Sequence, residues 1–130
     1  GLSHFLDTEV HGSAAVTTWY IGLVGATNTY AAGDTLASHA GWAEFTHYTG
    51  DRKEWTEGAA SSGVTTNAAG VVFTISGATG SETVNGAFLS SASTGTSGTL
   101  LGEGDFTGGP KSVANDDTLS VTITLTLTTA

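Results

Sequence analysis

The chain has 130 residues and no cysteine, and its twelve acids against three bases give a formal net charge of −9. That length suits one domain burying roughly two thirds of its unfolded surface, and the lack of cysteine excludes a disulfide framework and thiolate zinc or redox chemistry. So acidic a surface repels phosphate backbones, and Arg52, Lys53 and Lys111 are too few to build a basic groove, which sets nucleic-acid binding aside.

In chain order, Leu2, Phe5, Leu6 and Val10 fall at helical spacing with Asp7 and Glu9 turned elsewhere, which predicts a short amphipathic helix or arm within residues 1–12. A single domain is expected over residues 13–130. Helices this short are marginal alone, so the helix must dock on its own domain or on a neighbour, and Gly12-Ser13 supplies a stop. No apolar run approaches the roughly 20 residues that span a bilayer, and the N-terminus lacks the basic and apolar regions of a signal peptide. A soluble chain with no membrane partner is the expectation.

Thr17 to Val24 reads as a buried central strand in which Gly22 marks a bulge or a close backbone approach. Asp34 to Ala40 is expected to form a helical turn capped by Asp34 and ended by Gly41. Trp42 to Tyr48 alternates like a strand with aromatics on both faces. Gly50 to Glu57 gathers charge around Trp55, which either folds back onto the core or is exposed for a partner. Strands follow at Val64 to Asn67 and Val71 to Ile75 around a turn at Asn67 to Gly70. Val84 to Leu89 and Leu100-Leu101 read as strands joined by a Ser/Thr/Gly/Ala loop with no residue to anchor it, expected to be the most mobile part of the fold.

The firmest pattern is the last. From Asp117 to Thr128, Leu119, Val121, Ile123, Leu125 and Leu127 alternate with Ser and Thr. This predicts one strand with a dry aliphatic face and a hydroxyl face, launched from a turn at Asn115 to Asp117. Seven or eight strands at this spacing predict an all-β fold, an antiparallel β-sandwich of jelly-roll or small-barrel type.

WYIGLV, DTLASHAGW, VVFTI, NGAFLSS, LLGEGDF and VANDDTLSVTITL, taken in that order, resemble a family of small tailed-bacteriophage virion proteins encoded with head and tail structural genes. The resemblance runs from about Leu2 to the end. It implies a β-sandwich built into a virion, as capsid decoration or as a tail or fibre protein, and it carries over no catalytic residue.

No enzyme is expected. Asp34, Ser38 and His39 are too close in sequence for triad geometry, and no G-x-S-x-G elbow occurs. The four histidines show no ligand spacing, Asp116-Asp117 and Glu103 with Asp105 lack a calcium-loop signature, and GEGDF is no dinucleotide fingerprint. No metal or cofactor is therefore expected. Two readings remain. One is a capsid decoration (cement) protein on the virion's outer surface, whose partners are the phage major capsid protein and copies of itself, a trimer among the expected states. The other is a fibre or tail domain that binds host glycan. Leu2, Phe5, Leu6 and Val10 are the candidate docking face of the arm, and Trp42, Tyr48 and Trp55 are the candidate aromatic platform for a partner or sugar.

Overall fold

The computed structural model describes residues 2–127, with the side chains of Leu2, Ser3, Phe5 and Asp7 outside the description. Among the described residues helix α1 (Leu2–Glu9) is followed by eleven strands. The main sheet is built on β1 (Tyr20–Asn28), which pairs antiparallel with β2 (Trp42–Phe45) and β3 (Lys53–Glu54) along one edge. Along its other edge β1 pairs with β7 (Gly86–Ser90), and β8 (Leu100–Asp105) lies outside β7. Opposite stand three two-stranded ladders: β4 (Val64–Thr66) with β11 (Thr124–Thr126), β5 (Val71–Thr74) with β10 (Thr118–Val121), and β6 (Glu82–Val84) with β9 (Lys111–Val113). The chain is an all-β antiparallel sandwich.

Alternation along β1 explains two cores. Ile21 and Leu23 point to one face and meet Phe45, Leu89, Phe73, Ile75 and Val121 between the layers. Val24 points to the other, where Leu36, Trp42, Phe88 and Leu100 form a smaller cluster under the loops. A strand buried on both faces belongs at the sheet centre, as its apolar run predicts. A Cβ on Gly22 would overlap the Phe88 ring, so this glycine serves close approach; the irregularity in β1 lies elsewhere, between Val24 and Asn28 opposite β2.

The terminal pattern keeps its faces but breaks as a strand. Ser120, Thr122, Thr124 and Thr126 are exposed, while Leu119, Val121, Ile123 and Leu125 turn inward. Only Val121 of these is fully buried, and Leu127 is 58% exposed. The strand divides because its partner carries extra residues: the register runs Val121 with Val71 and resumes at Thr124 with Thr66, so residues 67–70 stand opposite 122–123. This bulge also means that Asn67 to Gly70 is no hairpin turn, since β4 and β5 pair with β11 and β10 and not with each other. The launching turn is present: Ala114 N–H donates to Asp117 Oδ2 at 2.8 Å, and Asp116 takes a φ of 72°, a conformation that Asp tolerates.

Asp34 caps no helix. Residues 34–40 form turns, and the Asp34 carboxylate accepts from Ala31 N–H and from the Trp42 indole N–H instead. Tying the loop to a buried aromatic satisfies more than an isolated helical turn would.

Candidate functional site

The arm begins with α1, which ends where Val10 and His11 N–H both donate to Leu6 O at 3.0 Å and Gly12 adopts a φ of 86°. That left-handed stop is one glycine allows without strain. Gly12–Thr18 then runs as a segment outside any helix or strand, mostly exposed, with none of its backbone hydrogen-bonded among the described residues. Leu6 is 54% and Val10 79% exposed. His4 sets its ring edge-on to Trp19, with centroids 5.2 Å apart. Of the candidate docking face, Leu6 and Val10 are open; the side chains of Leu2 and Phe5 lie outside the described residues.

The candidate aromatic platform is not a surface. Trp42 is 3% exposed, stacked at 3.8 Å on His39 and tilted against Phe88, with its indole N–H on Asp34. Tyr48 meets Phe73 edge-on at 4.9 Å, and its phenol pKa is raised by burial and then by the Glu44 charge. Trp55 folds back into the core and donates its indole N–H to Asn67 Oδ1 at 3.1 Å. Stacking on a sugar needs a free ring face, and these three rings spend theirs on the core.

Buried polar groups missed in the sequence hold the loops. Arg52 is 6% exposed. Its guanidinium donates to both Glu44 oxygens at 2.8 and 2.7 Å, to Ala92 O at 2.9 Å and to Gly95 O at 2.8 Å, while lying 5.2 Å over the Phe88 ring. The backbone N–H of Arg52 donates to Ser93 O at 3.1 Å. The Ser/Thr/Gly/Ala loop expected to be unanchored is thus fastened by one residue, through its side chain and its backbone. The bonds to Glu44 raise the Arg52 pKa against the opposing effect of burial. The signal available was rarity, since a single Arg in so weakly charged a chain needs a reason.

At the far end of β8, the Asp105 carboxylate accepts from Asn28 Nδ2 at 3.0 Å and from the Tyr30 hydroxyl at 2.8 Å. Burial followed by this bond raises the Tyr30 pKa, and burial followed by the Asp34 charge raises that of Glu103. These contacts pin the β1–β2 loop to the sheet.

A family model described as Podophage GP4 fiber I protein gp80 matches residues 2–128. The chain belongs to that family. No curated protein matches it. As a member of the gp80 fiber I family it is a bacteriophage structural protein of the virion, in agreement with the resemblance drawn from its strand motifs.

Proposed function

We propose that this protein is a fibre subunit on the outside of the virion, joined to neighbouring virion chains through its N-terminal arm. The observation that carries this reading is the arm itself: an eight-residue helix with Leu6 and Val10 exposed, set on a seven-residue segment that pairs with no strand among the described residues. A helix of that length is not stable in water without a surface to cover its apolar stripe. A net charge of −9 suits a chain kept away from packaged DNA.

Deleting residues 1–11 should leave a domain with an unchanged melting temperature that no longer enters particles, measured by thermal unfolding and by complementation of a deletion phage. Loss of folding would instead make the helix part of the core. Because the arm offers apolar contact and the chain has three bases, attachment should survive high salt: particles washed from low to about 1 M salt, where the Debye length is about 3 Å, should keep the protein. Steep shedding would show attachment by charge.

The second reading seats the same arm on the major capsid protein, making the chain a cement protein of the capsid exterior. Its support is that the arm specifies an apolar socket and not where the socket lies. Virion imaging separates the two, since cement copies would stud the shell lattice and fibre copies would cluster in projections. Glycan binding through Trp42, Tyr48 and Trp55 loses its support because all three are buried.

A further inference from the structure

The ladder layer of the sandwich has an open edge along the terminal strand. Ile75 N–H donates to Asp117 O and Leu127 N–H to Gly63 O, both at 2.8 Å. Bonded pairs alternate along an antiparallel ladder, so these two bonds fix the odd-numbered residues of β10 and β11 as those whose backbone groups face β5 and β4. Thr118, Ser120, Thr124 and Thr126 turn their N–H and C=O the other way. The break between β10 and β11 keeps this order, because the extra residues lie in the opposite strand. There Asn67 accepts from Ile123 N–H and donates to Val121 O, which holds the odd residues inward and adds Thr122 to the outward set. None of these outward backbone groups has a partner among the described residues. The layer's other edge is taken: Thr74 O accepts from Thr49 N–H at 2.9 Å and Thr66 O from Gly58 N–H at 3.0 Å.

An open edge is a template for another chain, and folded proteins guard it with lysine, proline, an inward charge or a bulge in the edge strand itself. Residues 118–127 hold no proline and no charged residue, although the chain has twelve acids and three bases elsewhere. The bulge is in the wrong strand to guard them. Thr118, Ser120, Thr122, Thr124 and Thr126 are all exposed. In a chain of net charge −9, an uncharged strand is also where a second copy approaches with least repulsion.

The strand matches itself. In an antiparallel pair about a twofold axis at Thr122, outward residues meet outward residues: Thr122 meets the partner's Thr122, Ser120 the partner's Thr124, and Thr118 the partner's Thr126. Between them Val121 stands opposite the partner's Ile123, and Leu119 opposite the partner's Leu125. Leu119, Ile123 and Leu125, which the chain itself leaves only partly buried, thereby gain cross-strand aliphatic neighbours, and the hydroxyl faces coincide as Thr–Thr and Thr–Ser pairs. Charge sets the direction. This register holds Asp117 and the partner's Asp117 about 33 Å apart, at about 3.3 Å per residue, far beyond the screening length of about 8 Å. A parallel pair would place them side by side.

We infer that residues 118–126 pair antiparallel with the same residues of a second copy, centred on Thr122, to make one sheet across a closed dimer. Association stops at two because the pair consumes the edge on both sides. This contact is separate from that of the arm and holds whichever virion chain receives the arm. The absence of native cysteine makes a single thiol a clean probe. Bonded partners in such a ladder have Cα atoms about 5.5 Å apart, within disulfide reach, so T122C should oxidise to a dimer at least about tenfold faster than T126C, whose own copy lies about 26 Å away in this register. Mixed T118C and T126C should cross-link like T122C. Proline at position 122 removes an outward N–H and no internal bond, so T122P should weaken dimerisation in sedimentation by about tenfold or more, with the melting temperature of the dilute monomer unchanged. A wild-type protein that stays monomeric up to about 1 mM, T122C that links no faster than T126C, or folded T122P that dimerises as before overturns the inference. Growth beyond two copies overturns the closed pair. A mixture of A15C and T122C that links faster than T122C alone also overturns it, since the edge would then receive a neighbour's arm. If T122P does not fold, the cysteine comparison decides.

Discussion

Replacing Arg52 by alanine should destabilise the domain by about 3–5 kcal/mol, the usual consequence of removing one partner from a buried ion pair. The loss has several sources. Ala92 O and Gly95 O lose their donor, Glu44 keeps its charge against the sheet, and the Phe88 ring loses its cationic cover. For a domain of this size that is a fall of about 10 °C or more in melting temperature. The effect should be concentrated in one place, so amide exchange in residues 91–98 should quicken before the main sheet is affected. The double variant Arg52→Met with Glu44→Leu should recover part of the loss, because removing both charges leaves no unpaired carboxylate. A cost below about 1 kcal/mol, the range of a surface pair, or an exchange pattern unchanged in the loop would show that Arg52 does not hold it.

This result also explains where sequence reasoning stopped. Period-two alternation is a local property, so the faces of β1 and of the terminal segment, and the sandwich class they imply, could be read directly. Whether an aliphatic face is covered is not local: Leu119, Ile123 and Leu125 carry the pattern of a core and are only partly buried against the opposite layer. The 91–98 loop looked free because its own residues are small and neutral, whereas its anchor lies some 40 positions earlier in the chain. Trp42, Tyr48 and Trp55 could equally have faced solvent or core from composition alone; the cross-strand neighbours that bury them come from distant segments. The arm was legible because helical spacing followed by glycine is a local signal, but its destination is set by surfaces outside the segment. In LLGEGDF only the strand register shows that Gly102 and Gly104 share one inward face.

The second large effect belongs to Asn67, which sits where the two long strands fall out of register. Its Oδ1 accepts from the Trp55 indole N–H at 3.1 Å and from Ile123 N–H at 2.9 Å, and its Nδ2 donates to Ala69 O at 2.7 Å and Val121 O at 3.1 Å. The amide therefore uses both lone pairs and both hydrogens, the full capacity of the side chain, and supplies bonds that the interrupted ladder cannot. Asn67→Leu keeps the volume but orphans four groups, each costing about 1–3 kcal/mol if left buried. Some of these regain water, so a total loss of about 3–6 kcal/mol is expected in denaturant unfolding. N67D is the sharper test. It retains the two acceptors but turns a carboxylate oxygen toward Ala69 O and Val121 O, which disfavours the charged form and raises the folded-state pKa above the unfolded value of about 3.9. The part of the penalty that comes from ionisation is then absent below that unfolded value, where the protonated acid still leaves one of the two carbonyls without a donor; it grows as pH rises through the window above that value and stays constant once pH passes the raised folded pKa. The gap between the unfolding curves of N67D and wild type should therefore be smallest near about pH 3, where a residual from the one lost donor remains, and widen toward neutrality. A penalty independent of pH would mean that the carboxylate at position 67 has left the bulge for solvent, and that the break in the strand is held by the backbone alone.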